Sequence, residues 1–223
     1  MIVSPGRRYV FVHAPKTGGT ALTLALEARA MKDDIIIADT PKGRRRRRRA
    51  QAWAAQAGRR LGKHARLAEV APLIGEEALG RMMVVTLVRN PWDRLVSYWR
   101  WLRAQSFDHE AVRLARAHDF AAFLRHPATR AAVAASGYAS YMRLPDGQER
   151  CDLWIRIERF AEDAAPFERH LGFALAPLPR ANASDRPRDW RPFYDDALAE
   201  LVAELCADDI ARFGYAFDDA AAA

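Results

Sequence analysis

Residues 8–22 pass from a short apolar run, Arg8-Tyr9-Val10-Phe11-Val12-His13, through Ala14-Pro15-Lys16-Thr17-Gly18-Gly19-Thr20 into a segment with Leu22, Leu24 and Leu26 set among alanines. The first run has the length of a buried strand, and the last reads as the opening of a helix over 20–31. A chain with this junction must place a loop against a helix N-terminus. Unpaired backbone N–H groups and the positive end of the helix dipole favour an anion there. Gly18 and Gly19 allow close backbone approach and positive φ, Lys16 brings a mobile cation, and Thr17 and Thr20 bring hydroxyl donors. The loop reads as a phosphate cradle.

The spacing also says which cradle it is not. A Walker loop sets its lysine after the last glycine and follows it with a hydroxyl that binds magnesium. Here Lys16 precedes both glycines, so the cation enters from the other side of the turn and no magnesium ligand follows it. A second junction of the same kind lies about 70 residues on. The apolar run Met82-Met83-Val84-Val85-Thr86-Leu87-Val88 has strand length and ends in Arg89-Asn90-Pro91-Trp92-Asp93-Arg94-Leu95-Val96-Ser97. Asn90 suits an N-cap and Pro91 suits the first helical turn, where its missing N–H costs nothing. Ser97 then lies on the same helix face as Asp93, one turn on. Arg89 and Ser97 are expected to reach one phosphate together, the planar guanidinium binding two of its oxygens.

The Pro15–Thr20 string resembles the 5′-phosphosulfate loop of sulfotransferases that use 3′-phosphoadenosine 5′-phosphosulfate (PAPS). The Arg89–Ser97 string resembles their 3′-phosphate motif. Three later segments resemble bacterial and carbohydrate-directed members of that family: Asp152–Phe160, Leu178–Ser184, and the closing stretch Asp209–Tyr215. The branch that includes heparan sulfate 2-O-sulfotransferase is the nearest in pattern. The resemblance implies PAPS as cosubstrate, adenosine 3′,5′-bisphosphate (PAP) as product, no metal, and an acceptor hydroxyl on a carbohydrate, which could itself be anionic. It further implies that Asn182 and Ser184 belong to a flap over the nucleotide.

With 223 residues, half of them hydrophobic, the chain is expected to bury one core as a single α/β domain over 1–223. Strands are expected near 8–13, 82–88 and 152–157, with a weaker one at 34–38. Helices are expected near 20–31, 50–61, 67–79, 91–104, 108–117, 119–125, 159–171 and 194–212. This alternation predicts a P-loop-like, mostly parallel sheet flanked by helices, with both motifs at the carboxyl ends of its strands. Cys151 and Cys206 have neither metal-ligand spacing nor a disulfide framework. No apolar run approaches the length of a membrane span, and the expectation is a cytoplasmic protein. The formal charge of +7 implies attraction to polyanions. Arg44–Arg49 is an unbroken run of six arginines, and like charges in sequence repel, so residues 42–50 read as a solvated, mobile loop. No aromatic residue is interleaved in the run, which argues against nucleic acid as partner. Residues 219–223 read as a frayed tail.

Sulfuryl transfer requires a base for the acceptor proton and positive charge beside the departing oxygen. Lys16 fits the second role. Six histidines compete for the first. His64 stands in Gly62-Lys63-His64-Ala65-Arg66-Leu67-Ala68-Glu69, just ahead of an expected helix, in a segment resembling one that carries an acceptor-facing histidine in the bacterial branch; it is the leading candidate. His13, before the phosphate loop, reads as a residue that holds the turn or touches substrate, and is the second candidate for the base. Glu158, at the end of an expected strand, could orient an acceptor or Lys16, or could form a structural ion pair. Two rival functions remain at this stage: a nucleotide-dependent phosphotransferase, which would need magnesium ligands, and a non-catalytic polyanion-binding protein.

Overall fold

The strands form where apolar, β-branched runs can be buried on both faces. A computed structural model describes residues 1–56, 58, 60–179 and 189–219. Its strands are β1 (Ile2–Ser4), β2 (Tyr9–Val12), β3 (Ile35–Ile36), β4 (Met83–Val88) and β5 (Leu153–Arg156). They make one sheet in the order β3-β1-β2-β4-β5. Helices α1 (Gly19–Ala28), α2 (Pro41–Arg45), α3 (Arg47–Ala55), α4 (Leu67–Ile74) and α5 (Glu76–Gly80) precede β4. Helices α6 (Pro91–Arg103), α7 (Glu110–Ala117), α8 (Phe120–Arg125), α9 (Pro127–Ala134) and α10 (Ala139–Met142) lie between β4 and β5. Helices α11 (Phe160–Asp163), α12 (Ala165–Leu171), α13 (Asp196–Leu205) and α14 (Ala207–Phe213) complete the described chain.

The described residues within 1–88 and 139–182 form one compact unit, which contains the whole sheet, and those within 89–138 and 183–223 form a second, helical unit. In the first, β2 pairs parallel with β4 and β4 parallel with β5, whereas β1 runs antiparallel to both β2 and β3. The sheet is therefore mixed, and the expected parallel arrangement holds only across β2, β4 and β5. Strand β1 was not expected, because three residues carry no periodicity. The turn that joins it to β2 closes with the Arg8 amide on the Pro5 carbonyl at 3.2 Å, with Arg8 at φ 53°. Phe11, Leu22, Leu26, Val85, Leu87, Ile155 and Phe167 form the core of this unit. It fixes α1 against the sheet.

Several expected elements divide. The helix expected over 67–79 breaks at Gly75, whose φ of 84° no helix admits, and the one over 194–212 breaks at Cys206. Residues 159–171 split into a 3₁₀ turn, Ile157–Arg159, followed by α11 and α12. The basic segment read as a loop is helical: α2 and α3 meet at Arg46, and Arg44–Arg49 lies within them. Helix α9 was not expected. Its cap is His126, whose Nδ1 accepts from the Ala128 amide, and histidine is not among the residues that usually signal a helix start.

In the second unit, Trp99 packs edge-on against Phe120 and Phe193. The Trp92 indole donates to the Ala199 carbonyl at 3.0 Å, which ties α6 to α13.

Candidate active site

The parallel pairing of β2 with β4 sets their carboxyl ends side by side, with Val12 opposite Thr86. The Thr86 hydroxyl fastens them by donating to the Val12 carbonyl at 2.8 Å. The Ala14–Thr20 segment leaves β2 from this edge. Thr17 is fully buried, and its hydroxyl donates to the Ala14 carbonyl at 2.8 Å, closing the loop on itself. Lys16 holds φ 65°, a conformation that non-glycine residues rarely adopt and that persists only when the surroundings impose it. Gly18 follows at φ 82°, where Ile157 Cδ1 lies 3.1 Å from the position of an added Cβ. A side chain there would be both strained and crowded.

Helix α1 starts at Gly19 with no side-chain cap. Its first backbone bonds run from the Ala21 and Leu22 amides to the Gly18 carbonyl. The Gly19 and Thr20 amides precede them at the open, positive end of the helix. Gly19 has a second reason to be glycine. A Cβ at this position would overlap Cδ2 and Nε2 of His13, with Cγ only 2.9 Å away. The imidazole thus lies directly on the helix N-terminus, buried and stacked on Phe11 at 5.7 Å between centroids. Burial, and after it nearby positive charge, holds its pKa well below the usual histidine value. This donor set, built from main-chain amides, Lys16 and the Thr20 hydroxyl, suits sulfate or phosphate oxygens.

His64 lies in the turn before α4, and its ring meets that of His13 edge-on at 4.6 Å. Its Nδ1 is 2.8 Å from the His13 carbonyl. A carbonyl only accepts, so Nδ1 carries the hydrogen and the neutral ring presents a lone pair at Nε2. Burial pushes the pKa of His64 down to about 4, against the opposing effect of the carbonyl bond and with the help of Lys63 and Lys16. Near neutral pH the ring is an uncharged proton acceptor within the electrostatic reach of Lys16. His13, His64, Lys16 and the glycines thus gather at one end of the sheet within the first unit.

The second motif lies in the second unit. Asn90 caps α6 as expected, its Oδ1 accepting from the Trp92 amide at 3.1 Å, while its Nδ2 donates to the Ala216 carbonyl. Arg89 donates through Nε at 2.7 Å and Nη2 at 2.5 Å to Oδ2 of Asp93, whose side chain is 1% exposed. Tyr138 pins the backbone of Arg89: its hydroxyl accepts from the Arg89 amide and donates to the Arg89 carbonyl. Tyr138 is in turn held by two bonds from its amide to the Asp209 carboxylate and by the Arg94 guanidinium over its ring. Tyr138 belongs to no local pattern, and although Asp209 opens the closing stretch that resembles the family, no spacing in the sequence announces its tie to Arg89 through Tyr138; the two lie 49 and 120 positions from Arg89 in a chain whose helices carry many aromatic and acidic residues. Ser97 is buried on α6, on the face that the spacing from Asp93 predicted.

Glu158 lies in the 3₁₀ turn after β5, one residue from the Ile157 side chain that covers Gly18, and not on the strand itself. Its neighbours in the same motif are structural. Asp152 accepts from the Val84 amide at 2.7 Å, and Arg156 forms a two-pronged pair with Asp163. Asn182 and Ser184 lie outside the described residues.

Main-chain amides, Lys16 and a histidine of lowered pKa at the carboxyl edge of an α/β sheet make an arrangement suited to group transfer. The sequence model of the Sulfotransferase family matches residues 1–216, and the chain belongs to that family. Searches of curated proteins and of solved structures found no match. Among the described residues, no helix is long and apolar enough to cross a membrane.

Proposed function

We propose that this protein transfers the sulfuryl group of PAPS to a hydroxyl of a carbohydrate acceptor and releases PAP, without a metal ion. Bound PAPS supplies the activated sulfuryl group; the chain's own residues supply the rest. The observation that carries this reading is the bond from His64 Nδ1 to the His13 carbonyl, which leaves a neutral Nε2 as a base at the anion cradle. In this assignment the Gly18, Gly19 and Thr20 amides and the Thr20 hydroxyl hold the 5′ end of the nucleotide. Thr17 shapes the loop from within, and Lys16 offsets the charge that develops on the leaving oxygen. Arg89, oriented by Asp93, and Ser97 receive the 3′-phosphate. His64 takes the acceptor proton, His13 positions it, and Glu158 borders the reacting end. Asn182 and Ser184 close over the nucleotide, a role that rests on the family resemblance alone.

The test is transfer of label from sulfur-labelled PAPS to a panel of sugars in the presence of EDTA. Labelled sugar with stoichiometric PAP is the expected result. Strict dependence on magnesium, or transfer from ATP in place of PAPS, contradicts the proposal.

A further inference from the structure

The six arginines divide by face. Arg46 donates to the Met31 and Asp34 carbonyls, and Arg49 to those of Lys32 and Asp33, so these two strap the helices to the turn before β3. Arg44 and Arg47 take another direction. They line a cavity of about 820 Å³, within the range of small-molecule sites, about 300–1,000 Å³. Arg45 and Arg48 are exposed and do not line it.

The cavity is built by helical spacing. Arg47, Ala50, Gln51 and Ala54 recur at i, i+3, i+4 and i+7 along α3 and share one face. The two alanines are buried and leave the space that larger side chains would fill. Gly43 lets α2 close tightly on the opposite wall, since a Cβ there would come within 2.5 Å of the Ala38 carbonyl. The charge of the wall is one-sided. Its one acid among the described lining residues is Asp39, already paired with Lys63 at 2.7 Å, and the Asp39 carbonyl accepts from Arg44 Nε. Arg47 has no hydrogen bond or ion pair among the described residues. Lys63, at the cavity wall, immediately precedes His64 in the chain.

We infer that this cavity is the acceptor subsite and that Arg44 and Arg47 bind a carboxylate of an acidic sugar there, while an adjoining hydroxyl is offered to His64. The inference rests on the sulfotransferase reading for the identity of the ligand as acceptor. The anion site itself does not. An acid-bearing sugar answers both halves of the wall: its carboxylate meets the guanidinium groups, and its ring lies against alanine and Ile36.

The probe is a hyaluronan tetrasaccharide, compared with its carboxyl-reduced form by calorimetry on the full chain in EDTA. Wild type is expected to bind the acid form at least tenfold more tightly. Arg44→Gln/Arg47→Gln should abolish that preference, whereas Arg45→Gln/Arg48→Gln, with the same loss of charge off the cavity, should change it less than twofold. Arg47→Gln alone serves as the second variant, since it breaks no bond of the fold, and should lose most of the effect. Equal losses in the two pairs would show diffuse attraction and overturn the inference; so would equal binding of both sugars, or no binding of either. PAP affinity, measured on the same samples, separates the two claims. Tetrasaccharide binding without PAP binding upholds the cavity and removes the sulfotransferase reading, and PAP binding without the tetrasaccharide does the reverse.

Discussion

His64 shows how one hydrogen bond sets a chemical role. Because the His13 carbonyl fixes the tautomer and burial keeps the ring uncharged, the proton-accepting form persists far below the ordinary histidine range. In the proposed reaction His64 acts as the neutral ring, so activity should be lost only as pH falls through about 4 and not through 6.5. A profile of kcat/KM that is flat from neutrality down to mildly acidic pH is the expected result, and a limb near the ordinary histidine value would contradict the assignment. His64→Ala should slow turnover on the order of 10²–10⁴-fold, the span of a lost general base, with PAP affinity retained. Gly19 and His13 make a second residue-scale case. Gly19→Ala should cost about 1–3 kcal/mol by overpacking against the imidazole. In His13→Ala the same change should be far less costly, and additive losses in the double mutant, measured by urea unfolding, would show that the two do not touch.

At the scale of elements, α1 is held at both ends, and only one end was legible in the sequence. Its N-terminus is announced by the glycines and threonines. Its C-terminus depends on Glu27, a buried carboxylate that accepts from the Thr40 hydroxyl at 2.5 Å and from the Gly43 and Lys42 amides at 3.3 and 3.4 Å. It thereby caps α2 from another helix, as Thr40 makes no side-chain cap of its own. Glu27→Ala would leave a buried hydroxyl and an amide without their acceptor and should cost about 3 kcal/mol; Glu27→Gln, which keeps one acceptor oxygen, should cost less. A denaturation midpoint unchanged by Glu27→Ala would contradict this role. The same tertiary fixing explains the basic run. Six like charges repel in an isolated segment, but Arg46 and Arg49 find main-chain carbonyls across the 31–34 turn, and α2 and α3 form around those bonds. Local charge pattern carries no information about such partners. Strong apolar runs and proline or asparagine signals, by contrast, placed β2, β4, β5 and α6 to within a residue or two of their observed bounds.

For the whole molecule, the family match spans residues 1–216, and the two segments proposed to bind phosphate follow strands of the sheet, since the Pro15–Thr20 loop comes after β2 and Arg89 directly after β4. Their placement was readable because glycine, proline and asparagine at fixed spacing after an apolar run mark a strand-to-helix junction. The supports of those motifs were not readable: Tyr138 and Asp209 behind Arg89, Ile157 over Gly18, and the carbonyl that sets the tautomer of His64 act across long chain separations. In the proposed function the protein is built for a nucleotide with phosphates at both 3′ and 5′ positions. Calorimetry on the wild-type chain in EDTA tests it most directly, comparing PAP with adenosine 5′-monophosphate and ATP. PAP is expected to bind at least tenfold more tightly than the monophosphate, about 1.4 kcal/mol, and more tightly than ATP. Equal affinity for PAP and the monophosphate, or a preference for ATP that appears with magnesium, would contradict it.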